Sequence, residues 1–510
     1  MRFVSIFALS SAALAACVVA TGCGNGGGIN YLSAGWKSYG GNPQHTAMSH
    51  DGTQPLKRVL WSAPIDLNPQ YSGSSLLIHY GCPLISALDT VVLTVKTGAA
   101  GGFRVEGREL KTGKVKWTED TDYILPNHNW TPPVGSAIVG IMGLVTPAGG
   151  GTLMYRASVD EKQSMVSRMS FYGTSLYEAH KDEFDQNVRI CTPITVDEAG
   201  SIYFGFKVYG PNAANLTSGY AKINSAGKGS WVSAQTLSGD ENAPQAAMNC
   251  APAISNDGKI MYVAVNNGGF SGGYLVSVDT ATMKMKNRVR LVDPKSGNPS
   301  IVPDDGTATP MVGPDGDVYY GVLENPFGEN HFRGFLQHFD KTLNVTKTPG
   351  AFGWDDTPSV VPSSAVKAYH GTSKYLILAK YNNYAGAGGD GANRVAILDP
   401  NASAVESISG VTTMKEVISV LGATKDSEFP NSPNAVREWC INTAAIDVKG
   451  RAAIVNNEDG KCYRWNFDTN TLSETMRLTS GVGEAYTPTI VSRHGESFAI
   501  NNARVYVLGR

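Results

Sequence analysis

From about residue 50 onward, short apolar runs alternate with polar turns along the chain. The runs "GSIYFGF" (Gly200–Phe206), "KIMYVAV" (Lys259–Val265), "GDVYYGV" (Gly316–Val322) and "KYLILAK" (Lys374–Lys380) are rich in Tyr, Val and Ile and are bounded by Gly, Asn or Asp. Runs of this length and composition predict β-strands. Two signatures recur between them. In the first, an apolar residue precedes an acid or amide and a polar turn, as in Val278-Asp279-Thr280, Leu398-Asp399-Pro400 and Phe467-Asp468-Thr469; counting Glu109 there are seven copies. In the second, a Pro or small residue leads into an apolar run, as in Thr192-Pro193-Ile194, Thr309-Pro310-Met311 and Thr487-Pro488-Thr489; there are eight.

Eight repeats of about 45–60 residues, each holding three or four antiparallel strands, predict an all-β, eight-bladed propeller, in which neighbouring blades bury the faces that no single blade can cover. After Pro488 the chain has room for only three more strands. The missing outer strand is expected from the other end, in "LKRVLWSAPIDL" (Leu56–Leu67), with Trp61 at the position of a blade tryptophan. Such a closure removes two exposed sheet edges. Residues 51–510 are then one domain despite their length.

The segment "GWKSYGGNPQHTAMS" (Gly35–Ser49) resembles the leading segment of the PQQ-like propellers, and "GRELKTGKVKW" (Gly107–Trp117) resembles their tryptophan-docking repeat. The resemblance extends over essentially all of the chain past the leader. It implies that Trp61, Trp117 and Trp231 dock blades on one another, where a large flat side chain suits a wedge between sheets. Later copies have lost the tryptophan, and Asn287 stands in its place in the fourth blade. The family divides into quinoprotein dehydrogenases and non-enzymatic envelope propeller lipoproteins. This sequence leans to the second group, because it contains neither an adjacent Cys-Cys pair nor a Cys-x-x-Cys-His haem site. The expectation is a binding or scaffold protein with no cofactor. The alternative is a periplasmic PQQ-dependent oxidoreductase, with PQQ or calcium on the axis.

Composition narrows the partners. A net charge of −2 with scattered Lys and Arg argues against nucleic acid. Arg2 followed by the uncharged run Phe3–Ala20 reads as an export signal. Leu14-Ala15-Ala16-Cys17 and Ala20-Thr21-Gly22-Cys23 both have the form of a lipoprotein processing site, and Cys23 is favoured because a polar, glycine-rich tether follows it. The expected organisation is a signal peptide at 1–22, a tether and leading segment at 23–50, and the propeller at 51–510. This is an exported protein held to a membrane by lipid, facing periplasm or cell surface, with protein partners at the envelope.

Other motifs fail on context. "GAGGDG" (Gly386–Gly391) satisfies a dinucleotide pattern and "GFSGG" (Gly269–Gly273) a nucleophile-elbow pattern, but both join strand to strand, without the helix that either chemistry needs. Asp315-Gly316-Asp317 reads as a strand turn, and the histidines show no metal-ligand spacing. Cys191 and Cys250 head matching inner strands of adjacent blades and are the expected disulfide. Cys440 and Cys462 fit less well, because two strand spacings exceed disulfide reach. Within Ser409–Val436, the positions Met414, Val417, Ile418 and Leu421 follow helical spacing behind Thr412 or Thr413 and predict a helix on the rim, with a partner-binding arm as the other reading. Finally, Asp305, Asp356, Glu438 and Glu484 lie in loops entering inner strands. If they share the channel mouth, they form a candidate binding funnel.

Overall fold

The computed structural model describes residues 35–510 apart from Ser74, Ala100, Asp305, Val482, Ala485 and Tyr486; the segment read as an export signal, with Cys17 and Cys23, lies outside the described residues. The chain forms an eight-bladed propeller of mostly four-stranded antiparallel sheets. Blade 1 runs through Leu84–Ile85, Thr90–Lys96, Gly101–Glu109 and Val115–Ile124, and blade 4 through Ala253–Ile254, Ile260–Asn266, Phe270–Asp279 and Met285–Arg290. Blade 8 consists of Ile490–Val491, Ser497–Asn501 and Arg504–Gly509, completed by Arg58–Pro64 from the other end of the chain. The ring is therefore closed by the strand that the sequence pointed to.

Burial explains the two kinds of strand. Inner strands are covered on both faces by neighbouring blades, so Thr90–Lys96 and Tyr375–Tyr381 are almost wholly buried. Outer strands alternate: Thr471–Arg477 turns every second side chain to water. The core accordingly lies between blades. Met311 and Tyr319 of blade 5 pack on Ile377 and Leu398 of blade 6, for example.

Tryptophans lock two of these gaps. Trp61 donates its indole N–H to the Leu110 carbonyl of blade 1 at 2.7 Å, and Trp117 donates to Val159 of blade 2 at 2.8 Å. Gly113 has φ of +69°, and a Cβ there would stand 2.6 Å from the Trp61 ring. The Thr-Gly turn is thus the seat for the preceding blade's tryptophan. Trp231 differs: it pairs opposite Ala221 with no bulge, and it packs edge-on to Phe206 at 6.0 Å in the gap shared with blade 2. Without the extra residue, strand alternation turns it toward the preceding blade.

The rim helix expected within Ser409–Val436 is not formed. Thr412–Leu421 is instead the outer strand of blade 6, paired with Arg394–Val405. Its Thr, Val and Ile residues favour a strand. A bulge at Val417 shifts the alternation, so that Met414 packs toward blade 5 and Ile418 toward blade 7. This phase change makes a strand imitate helical spacing. The Cys191–Cys250 bridge is not formed either; both are buried free thiols, as is Cys462.

The leading segment is part of the fold. Trp36–Ala47 winds across the axis, and the carbonyls of Trp36, Lys37, Pro43, Gln44, Thr46 and Ala47 accept N–H bonds of 2.8–3.0 Å from Ile85, Ile138, Ile254, Val312, Val360 and Ile446. Those donors are equivalent positions on the innermost strands of six blades. His45 adds Pro310 at 2.8 Å through Nδ1 and Thr195 of blade 3 at 3.3 Å through Nε2. Burial drives its pKa down to about 4, so the ring is neutral and Nδ1–H donates to the carbonyl. The segment closes one end of the channel as a floor.

Candidate functional site at the propeller axis

Above this floor, the loops leading into the innermost strands bring polar side chains from several blades together. Asp355 is at the centre. Its Oδ1 accepts from the Thr307 hydroxyl at 2.6 Å and the Thr307 N–H, and its Oδ2 lies 3.4 Å from His79 Nε2. The His79 ring stacks on Trp130 at 5.3 Å. Burial opposes ionisation of Asp355, but His79, Lys380 and Thr307 outweigh it and hold the carboxyl below its ordinary range.

Its neighbour behaves oppositely. Burial, reinforced by the Asp355 charge and only partly offset by Lys380, pushes Asp356 up to about 8. Asp356 accepts the Lys380 backbone N–H at 3.1 Å, and Lys380 Nζ donates to the Asp355 carbonyl at 3.2 Å. At neutral pH the two acids therefore carry one negative charge between them, a common outcome for carboxylates forced into one buried site. Tyr39 rises from the floor and donates to Thr357 at 2.9 Å and to Asn442. On the other side, Lys207 pairs with Asp304 at 2.5 Å, and Asp304 also receives the Met248 N–H and the Asn266 amide.

Of the four acids singled out from the sequence, Asp356 and Glu438 are brought into the same neighbourhood, where both interact with Lys380. Burial and the adjacent Glu458 raise the Glu438 pKa. Asp305 lies outside the described residues. The backbone of Gly483–Glu484 pairs with Ser75–Leu76, and the Glu484 side chain is outside the description. His79, Thr307, Lys380 and Asn442 were not anticipated. A signal existed for the lysines: Lys96, Lys207 and Lys380 each end a buried apolar second strand, and each meets a buried aspartate, with Lys96 2.9 Å from Asp66. His79 sits in a loop whose sequence carries no such mark.

His79, Asp304, Asp355, Asp356, Lys380 and Asn442 are all at most 8% exposed and engage one another. Among the described residues, no group of three or more His, Cys, Asp or Glu side chains could hold a metal ion. Hydrogen bonds and ion pairs tie Asp355 to Thr307 and His79, Lys380 to Asp355 and Asp356, and Asp304 to Lys207.

The architecture defines the class: an all-β, eight-bladed propeller. No family model matches the sequence, and no curated protein matches it. Among solved structures the chain is similar to a europium-containing methanol dehydrogenase (TM-score 0.56, 11% identity, 91% of this chain and 89% of that one). It is also similar to the quinohemoprotein alcohol dehydrogenase of Comamonas testosteroni (TM-score 0.52, 11% identity, 94% and 81%). A further match is BamB from Moraxella catarrhalis (TM-score 0.44, 12% identity, 89% and 99%). At such identities the likeness is one of fold, and function must be argued from the site.

Proposed function

We propose that this protein is an exported, lipid-anchored propeller that binds protein partners at the cell envelope and performs no redox chemistry, with Cys23 as the lipidated residue and Cys17 as the other candidate. The observation that supports this reading is the buried, hydrogen-bonded cluster at the axis. A floor segment, a stacked His79–Trp130 pair and the Asp355, Asp356 and Lys380 group lie where the inner strands converge. A cofactor on the axis would have to break hydrogen bonds and ion pairs among these buried groups, at several kcal/mol. Binding is then left to loops and outer surfaces, the usual working parts of a rigid scaffold.

The test combines two measurements. Purified protein mixed with PQQ and calcium, then desalted, should retain no quinone absorbance and reduce no dye with alcohols. Capture on the tagged full-length chain from detergent-solubilised envelope should recover a defined protein partner, and Cys23→Ser should move the chain from the membrane to the soluble fraction. Stoichiometric retention of PQQ would overturn the reading.

A further inference from the structure

The strand register puts Asn287 where Trp117 stands. Trp117 pairs with Gly107 and Asn287 with Ser277, and each pair is followed at once by a bulge. Trp117 fills its gap, leaving about 10 Å³ beside Leu144 and Arg156 of blade 2. Asn287 is far smaller and reaches across by hydrogen bonds alone, to the Thr342 carbonyl at 3.0 Å and Asn344 Oδ1 at 2.8 Å of blade 5. The groove between blades 4 and 5 remains open as a cleft of about 590 Å³. That lies within the roughly 300–1,000 Å³ of small-ligand sites.

We propose that this cleft binds a neutral, hydroxyl-rich oligosaccharide. Its walls carry two carboxylates, Asp257 and Asp315, and two ammonium groups, Lys286 and Lys341, so the lining has no net charge. Between them stand the amides of Asn256, Asn287 and Asn344 and the hydroxyls of Ser255, Ser277 and Thr342. Sugar hydroxyls donate and accept at once, and a surface interleaving acceptors, donors and dual groups matches them. An apolar ligand would strand these groups, and an anion would meet two carboxylates.

The walls are held before any ligand arrives. Asn256 bonds across to the Gly313 carbonyl at 2.9 Å, Asp315 accepts from Tyr375 of blade 6 at 2.8 Å, and Tyr262 donates to the Lys341 carbonyl at 2.7 Å. Such preorganisation lowers the cost of binding. The cleft lies apart from the axis, so this inference stands whether or not a protein partner is found.

The test refills the groove. A Cβ at Gly107 would lie 2.2 Å from the Trp117 ring, so Asn287→Trp requires Ser277→Gly beside it. The full-length chain is screened on an array of defined glucan, mannan and galactan oligosaccharides, and the strongest binder is titrated by calorimetry. Wild type should bind a neutral oligosaccharide. The double variant should lose at least tenfold in affinity while keeping its thermal midpoint, and Asp257→Ala, at an exposed position, should weaken binding about tenfold without touching the groove's packing. Absence of binding to every neutral oligosaccharide, or unchanged affinity in both variants, would overturn the proposal.

Discussion

Replacing Asp356 by Asn should make the protein less sensitive to alkaline pH. Asp356 titrates near 8 in the fold, against roughly 3.9 in an unfolded chain. The native state thus binds a proton between about pH 4 and 8 that the unfolded state has released. A group raised in this way contributes most below its unfolded pKa, and its contribution is lost as pH rises through the folded value. From pH 6 to 9 the loss spans about two units of effective titration. At about 1.4 kcal/mol per unit, wild type should lose roughly 2–3 kcal/mol from this group. Asparagine keeps an oxygen for the Lys380 N–H and cannot ionise. Guanidinium unfolding at pH 6, 7, 8 and 9 should therefore show the stability of Asp356→Asn relative to wild type rising by about 2–3 kcal/mol between pH 6 and pH 9. Parallel stability curves for the two proteins would refute the assignment of a shared charge to Asp355 and Asp356.

Two further outcomes are expected. Trp117→Ala removes a buried ring, its bond to Val159 and its stacking with Arg156 at 4.1 Å, and should cost about 3–5 kcal/mol in chemical unfolding, whereas Trp61→Ala, at a half-exposed site, should cost less. Burial pushes Cys191 and Cys250 up to about 12, so native protein should resist thiol reagents and both should alkylate fully once unfolded; a bridged Cys191–Cys250 peptide in non-reducing maps would contradict the free thiols.

The propeller was legible because its repeats are written in turn chemistry. Asp279 before Thr280, or the Thr-Gly turn before Trp117, reports a local backbone need that survives when the rest of a blade diverges, whereas at Asp399-Pro400 the strand Arg394–Val405 runs on and turns only after Glu406. What escaped was set by register. Thr412–Leu421 looked helical because one bulged residue, Val417, breaks the period of two, and no local rule foretells a bulge. The axial cluster was half visible. Acids next to inner-strand prolines mark loops, but which acid ionises depends on His79 and Lys380, brought from distant blades. Cys191 and Cys250 occupy matching positions, yet equivalence in a repeat does not fix the direction of two side chains.

The floor segment sets an order of assembly. Its carbonyls are among the first residues of the fold to leave the ribosome, but its donors extend to Ile446, and Arg58–Pro64 waits for Arg504–Gly509 at the far end. A chain synthesised N-terminus first must hold these elements unpaired until almost everything else has emerged. Long-range pairings of this kind slow folding and leave strand edges open to misassembly in the meantime. The finished ring gains the converse: neither Arg58–Pro64 nor Arg504–Gly509 can fray alone, because each is paired with the other. Slow, guarded maturation followed by high kinetic persistence is the life history that this threading imposes.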